Sequence, residues 1–259
     1  MPRFAANVSL LFSEVPLLER FRAARSAGFE AVECWWPFAT PDPGAAEVGA
    51  FVDALAAADV RLVGLNLWAG DMPGGERGVV SHPDRAEELR RNLAVVRTIA
   101  VATGCDRVNA LYGHRLPGVP ESLQEETATR NLRLAAETLG DAGVTVLVEP
   151  LTRGENGDYP LHTLADAQAV ADRAGDGVAV LFDAYHLHNN GADVVAEIAR
   201  HGGTVGHVQI ADSPGRGEPG TGTIDYPAFF AALDASPYAG WTACEYRPTS
   251  PDHLAWLPR

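Results

Sequence analysis

The chain is 259 residues long, 46% hydrophobic and 21% charged, which supplies enough apolar material for a sizeable core and suits one barrel-sized α/β domain. Its net charge of −14 argues against nucleic acid or anionic lipid as a partner, because phosphate-bearing surfaces call for clustered Lys and Arg. All 20 basic residues are arginines, and the lack of lysine excludes Schiff-base chemistry, pyridoxal-phosphate attachment and a P-loop.

Strand-like and helix-like runs alternate along the whole chain. Phe4 to Leu11 is short and apolar and reads as a first strand rather than a signal peptide. Glu14 to Ala27 has helical spacing in Leu17, Leu18, Phe21 and Ala24, with Gly28 as its C-cap. Ala31 to Trp36 is a second strand, Pro43 to Ala58 an alanine-rich helix and Val60 to Leu67 a third strand. Ser81-His82-Pro83-Asp84 opens a long helix, with Pro near its first turn and Asp84, Glu87 and Glu88 near its positive end; Gly104 closes it. Arg107 to Leu111 is strand, Glu121 to Ala142 helix, and Val144 to Val148 a buried strand ending at Glu149. Thr163 to Ala174 is helix, and Val178 to Phe182 is strand ending at Asp183. Ala192 to His201 is helix, and Val205 to Ile210 is strand containing Gln209. Asp225 to Asp234 is helix, and Trp241 to Cys244 is strand ending at Glu245.

This order makes eight βα units with only a remnant of the last helix after Pro251. Repeated βα order implies parallel strands joined by right-handed crossovers. Eight units at this length favour a single closed (β/α)₈ barrel spanning residues 1–259 over an open sheet. No G-x-G-x-x-G follows the first strand, so a dinucleotide fold lacks its main support. No apolar run reaches the roughly eighteen residues of a membrane span. Cys34, Cys105 and Cys244 are odd in number and far apart, which fits a reducing cytoplasm better than a disulfide framework. The glycine-rich loops 70–81 and 213–223 follow strands, on the side where barrel active sites form. The short tail is expected to leave part of the first or last strand uncovered, which favours a homo-oligomer.

Four successive strands end in, or carry near their ends, a metal-competent oxygen side chain: Glu149, Asp183, Gln209 and Glu245. A lone acid after a strand usually caps a helix or solvates a loop, but four on neighbouring strands of a closed barrel converge on one mouth. Carboxylates packed this closely resist ionisation unless a cation lies between them. An all-oxygen set favours one divalent Mg²⁺ or Mn²⁺ over Zn²⁺.

Several segments carry a resemblance: Val-Glu-Pro at 148–150, Phe-Asp-Ala-Tyr-His at 182–186, His-Val-Gln-Ile-Ala-Asp-Ser-Pro-Gly-Arg at 207–216, Glu-Pro-Gly-Thr-Gly at 218–222 and Glu-Tyr-Arg-Pro at 245–248. With the loop Ala69-Gly70-Asp71-Met72 and Gly75-Glu76-Arg77-Gly78, they resemble the hydroxypyruvate isomerase family, within the xylose-isomerase-like TIM barrels. The resemblance spans nearly the whole chain. It implies a metal held by Glu149, Asp183, Gln209 and Glu245, proton transfer by Glu149 and Glu245, and substrate contacts from His186 and Arg216. The related ketose 3-epimerases usually carry His where this chain has Gln209, which favours the hydroxypyruvate isomerase branch.

Such chemistry suits the residues. Moving a carbonyl to the adjacent carbon requires taking a proton from one carbon and returning it to its neighbour through a cis-enediolate, whose charge a metal stabilises. The missing lysine speaks against the hydride-shift route of xylose isomerases. Arg216 has the planar fork that suits a substrate carboxylate; its bland alternative is a solvated loop residue. For His186 that alternative is a histidine that ties down a loop. Glu33 lies inside the second strand, where an acid is costly unless it points into the mouth, and is expected to bind substrate or support the ligands. Asn7, Asn66 and Asn109 line the mouth or satisfy backbone groups. His207 shares a strand face with Gln209 and is expected to support it. Trp35, Trp36 and Trp68 either wall the pocket or pack in the core, Asp212 caps its loop, and Glu76 and Arg77 form a lid.

The expected reaction is hydroxypyruvate to tartronate semialdehyde, or isomerisation of a 2-oxo-tetronate. The alternatives are a ketose 3-epimerase or sugar dehydratase, an endonuclease on abasic DNA, and a non-catalytic sugar-acid binding protein.

Overall fold

A computed structural model describes residues 2–257. Eight parallel strands close into a barrel in sequence order, β1 pairing with β8. The strands are β1 (Arg3–Asn7), β2 (Ala31–Cys34), β3 (Arg61–Asn66), β4 (Arg107–Asn109), β5 (Thr145–Val148), β6 (Val178–Asp183), β7 (Val205–Ile210) and β8 (Trp241–Cys244). The helices are α1 (Leu17–Ser26), α2 (Ala45–Ala58), α3 (Ala86–Thr103), α4 (Glu121–Gly140), α5 (Leu164–Ala174), α6 (Ala184–Asn189), α7 (Val194–His201) and α8 (Tyr226–Ala235). Among the described residues no helix is long and apolar enough to cross a membrane.

Local chemistry sets the ends. Thr163 and Asp166 form a capping box on α5, and Asp193 and Asp225 cap α7 and α8 by accepting from Ala196 N and Ala228 N. Gly104 ends α3 with φ 71°, a conformation that costs glycine little. The expected first strand is shorter than its apolar run, because Asn7 Oδ1 accepts from Ser9 N at 3.0 Å and turns the chain. Trp35 N donates to Ser9 Oγ at 2.8 Å, which takes residues 35 and 36 off β2. Pro16 starts α1 at Leu17 rather than Glu14. Pro83–Arg85 is a 3₁₀ turn, and the long helix begins only at Ala86. Helix α6 lies in a stretch with no helix expected.

The main core lies between strands and helices. Inside the barrel, Ala5, Ala31, Val63 and Ala243 form a small separate apolar plug. Side chains two residues apart on a strand share a face. Asn7, Glu33 and Glu245 each stand two residues beyond a plug alanine, so a polar layer rests directly on the plug. The expected uncovered outer strand is largely corrected. Trp256 of the tail stacks on Phe230 (5.9 Å) and meets Phe4 of β1 edge-on (5.1 Å). A groove of about 710 Å³ remains beneath the tail, bordered by Phe4, Phe29 and Trp241.

Candidate active site

Barrel register brings the sequence-selected residues together. Asp183 and Gln209 are paired across β6 and β7, and Gln209 is paired with Ala243, two residues before Glu245. Glu149, Asp183, Gln209 and Glu245 are all buried. Glu149, Glu245, His186 and Arg216 line one cavity of about 820 Å³ at the C-terminal mouth, walled by Trp35, Trp36, Phe38, Trp68 and Met72. The tryptophans are therefore pocket walls, and two are also donors: Trp35 Nε1 to Glu245 Oε1 (2.6 Å) and Trp68 Nε1 to Glu88 Oε2 (2.9 Å).

The strand that ends at Asp183 passes straight into α6, and Asp183 is its N-cap. Its Oδ1 accepts from Tyr185 N at 2.8 Å, which holds the carboxylate in one orientation. Its Oδ2 is buried with no hydrogen-bond partner among the described residues. Gln209 shows the same division of labour. Its Nε2 donates to Glu33 Oε1 at 2.7 Å, while its Oε1 is buried and unpartnered. Burying an acceptor without a donor costs about 1–3 kcal/mol, and Asp183 Oδ2 and Gln209 Oε1 are two such atoms on neighbouring strands. Glu149, Asp183 and His186 offer ligand-type atoms that all lie within 4.8 Å of one another.

His186 differs from a ligand in its tautomer. Its Nδ1 accepts from Thr152 N at 3.1 Å, so a neutral imidazole carries its hydrogen on Nε2. Burial lowers the His186 pKa to about 4, against the pull of Asp183, so the ring is neutral near pH 7. Its Nε2 then faces Asp183 Oδ2 (3.6 Å) and Glu149 Oε1 (3.9 Å) as a donor. This hydrogen disfavours His186 as a metal ligand, despite its place in the cluster.

Arg216 sits in the 213–223 loop with φ 56°, a left-handed conformation uncommon outside glycine. Its Nη2 donates to Glu245 Oε2 at 2.6 Å and lies 3.7 Å from Asp183 Oδ2, while its guanidinium packs over Tyr185 at 5.3 Å. Asp212 organises that loop by accepting from Ser213 N, Gly220 N and Ile224 N, as its capping role required. Burial works against the charged form of Arg216, but Glu245, Asp183 and Glu149 outweigh it and hold the pKa above the usual value. Burial drives Glu149 well above the usual carboxylate range, and repulsion from Glu245 and Asp183 adds to it. Burial likewise pushes Glu245 up to about 8, opposed by Arg216 and abetted by Asp183 and Glu33.

Glu33 is buried beneath the mouth and is not among the residues that line the cavity. Its carboxylate accepts from Asn7 Nδ2 (2.8 Å) and Gln209 Nε2 and meets His207 Nε2 at 2.6 Å. Asn7 also reaches Glu245 (3.2 Å), and Asn109 Nδ2 donates to Glu149 Oε2 at 2.6 Å. The asparagines on β1 and β4 therefore hold the glutamates, and Asn66 lines the cavity. Thr152, Tyr185 and Asn156 escaped sequence reasoning, since their parts depend on contacts between loops.

The xylose isomerase-like TIM barrel model matches residues 21–259. A Streptomyces coelicolor chain, provisionally named hydroxypyruvate isomerase, is 42% identical over 99% of this chain and 95% of its own length. A 2-oxo-tetronate isomerase of Pectobacterium atrosepticum is 35% identical over 99% and 97%. Hydroxypyruvate isomerase of Escherichia coli is 34% identical over 99% and 98%. A solved Brucella melitensis structure, titled AP endonuclease, family 2, superposes with a TM-score of 0.90 at 37% identity, covering 99% of this chain and 98% of that one.

Proposed function

This chain belongs to the xylose isomerase-like TIM barrels, and on that premise we propose that it is a metal-dependent isomerase converting hydroxypyruvate to tartronate semialdehyde. The observation that carries the metal is the pair of buried acceptors without donors, Asp183 Oδ2 and Gln209 Oε1, set among acids. Glu149, Asp183, Gln209 and Glu245 would hold it, and the all-oxygen set suits Mg²⁺ or Mn²⁺. When bound, such an ion supplies Lewis acidity to the adjacent carbonyl and hydroxyl oxygens of the substrate.

The chain's own residues move the proton. One of Glu149 and Glu245 takes a proton from C3 of hydroxypyruvate, the proton of the C3 hydroxyl passes to the C2 oxygen, and a proton returns to C2 from the other glutamate, so the carbonyl ends on C3 and no atom is gained or lost. Burial and mutual repulsion raise both groups toward the range in which a carboxyl can accept and then give up a proton. The neutral Nε2–H of His186 and the Arg216 guanidinium donate to the oxygens on which charge develops. Trp35, Trp36, Phe38 and Trp68 exclude water from the cis-enediolate.

A 2-oxo-tetronate is the second reading, favoured by a cavity of about 820 Å³ that exceeds the needs of a three-carbon acid. Abasic DNA fits poorly, because a −14 chain repels a phosphate backbone. The test is to incubate the purified protein with each acid, with and without Mg²⁺ or Mn²⁺, and follow the aldehyde product by proton NMR. Metal-dependent appearance of tartronate semialdehyde is expected. Turnover unaffected by thorough chelation, or of neither acid, overturns the reading.

A further inference from the structure

The cavity contains a positive charge that the site's acids do not neutralise. Three arginines line it: Arg77, Arg216 and Arg247. Arg216 is ion-paired with Glu245 at 2.6 Å and lies 3.7 Å from Asp183, with its Nε buried and unpartnered among the described residues. Arg247 is exposed at the rim, where water solvates it. Arg77 differs from both. It is half-buried, and among the described residues it makes no ion pair.

The Arg77 side chain is nevertheless held firmly. Its Nε donates to Asn156 Oδ1 at 3.0 Å, and its Nη1 donates to Met72 O (3.1 Å) and Glu76 O (2.8 Å). All three acceptors are neutral, so they fix the guanidinium without cancelling its charge. They come from two loops, the one after β3 and the one after β5, so Arg77 also ties those loops together across the mouth. The next residue, Gly78, has φ 105°, and a Cβ there would stand 2.0 Å from Leu111 O. The backbone beside Arg77 therefore lies directly against the β4 loop and has little freedom to move the side chain away. The Nη2 end is left with both N–H groups uncommitted. Burial, and then repulsion from Arg216, lower the pKa of Arg77, in keeping with a guanidinium that has no carboxylate of its own.

The geometry points to Arg77, steadied by Asn156, as the anchor for the substrate's carboxylate, with Arg216 left to the reacting oxygens. This inference rests on the proposed isomerase reading and narrows it to monoanionic 2-oxo acids, as opposed to uncharged ketoses. One unmatched guanidinium balances one carboxylate, and a charge-assisted hydrogen bond inside a partly desolvated cavity is about twice as strong as a neutral one. The acid end is held on the β3 side, and the two carbons that exchange the carbonyl are directed across the mouth toward Glu149 and Glu245. An uncharged sugar of equal size would leave the half-buried Arg77 guanidinium without an anion, so the same group selects for acids.

The test uses the whole chain loaded with Mg²⁺ and reads binding by calorimetry with D-glycerate, an unreactive acid, against glycerol. The wild type is expected to prefer the acid. In R77Q that preference should fall by about 10- to 100-fold, the usual size of one lost hydrogen bond to a charged group, while affinity for glycerol changes far less and the lost loop contacts lower Tm equally with either ligand present. R77K, which keeps the charge but not the fork held by Asn156, should fall between the two. With hydroxypyruvate as substrate, R77Q should raise KM more than it lowers kcat. A wild type with no preference for glycerate, or an R77Q chain that keeps the preference while R247Q loses it, overturns the anchor. Glycerate binding that depends on Arg77 in a chain that does not isomerise hydroxypyruvate would sink the proposed reaction and leave the anchor standing.

Discussion

The two halves of the barrel mouth are built from different chemistry. Strands β5 to β8 bring Glu149, Asp183, Gln209 and Glu245, whereas β1 to β4 bring Asn7, Asn66, Asn109 and a single acid, Glu33, held beneath the cavity by Asn7, His207 and Gln209. Donors from the second half hold the acids of the first: Asn109 grips Glu149, and Asn7 and Trp35 grip Glu245. Buried carboxylates crowded together drift toward their protonated forms and rotate freely unless neutral donors pin them. The comparison teaches that the reactive half is useful only because the opposite half fixes where its oxygens point.

The largest effects should come from the reactive half. E149Q and E245Q each keep the side chain's shape and remove its ability to move a proton, so kcat on hydroxypyruvate is expected to drop by about 10²- to 10⁴-fold, with an unchanged circular dichroism spectrum. Full activity in either variant would erase the distinction between the halves. Chelation comes next. Mg²⁺ or Mn²⁺ at about 100 times its Kd should stabilise the fold by about 2.7 kcal/mol, seen as a rise in Tm that chelator reverses. D183N, which weakens the Oδ2 acceptor, should lose most of that rise.

The holding half is tested by E33A. Three buried polar groups, on Asn7, His207 and Gln209, would lose their common partner. Asn7 keeps Glu245 as an acceptor, so at about 1–3 kcal/mol for each of the other two groups a loss of at least about 2 kcal/mol is expected in urea unfolding. Metal affinity should fall by about 10- to 100-fold as the Gln209 amide loses its orientation. A stable E33A chain with wild-type metal affinity would show that the acids orient themselves.

That division also explains what was legible in the sequence. Carboxylates and an amide at the ends of four consecutive strands form a pattern in one dimension, as does the βα alternation that implies the barrel. Glu33 stood out as an acid inside a strand, but its partner His207 lies 174 residues away, and only closure of the barrel makes them neighbours. Of the two roles expected of Glu33, support of neighbouring site residues is therefore the one whose partners the sequence could not name. Helix α6 was missed because six residues carry no full amphipathic period, yet it lets Asp183 act as an N-cap and leaves one oxygen free. Strand ends at Asn7 and Cys34 depended on Ser9, whose backbone and hydroxyl contacts hydropathy does not encode.

The smallest expected effect concerns a brace on the holding side. Glu88 accepts from Arg85 and from Trp68 Nε1, and Arg85 reaches Glu76 Oε1 at 2.8 Å, joining α3 to the loop that carries Arg77. The hydrogen bond from Arg85 depresses the Glu88 pKa. A carboxyl whose folded pKa lies below its unfolded value of about 4.3 adds stability above that value and loses it as pH falls through the folded pKa. With 27% of the Glu88 side chain exposed, solvent screening keeps the contribution below about 1 kcal/mol. E88Q should therefore melt slightly below wild type at pH 7, and the gap should close as pH is lowered from 5 to 3. Because Trp68 walls the cavity and Arg77 borders it, the variant should also bind D-glycerate somewhat more weakly at pH 7. A gap in Tm that persists at pH 3 would mean that Glu88 acts through packing, and that the loop is held by Asn156 rather than by this brace.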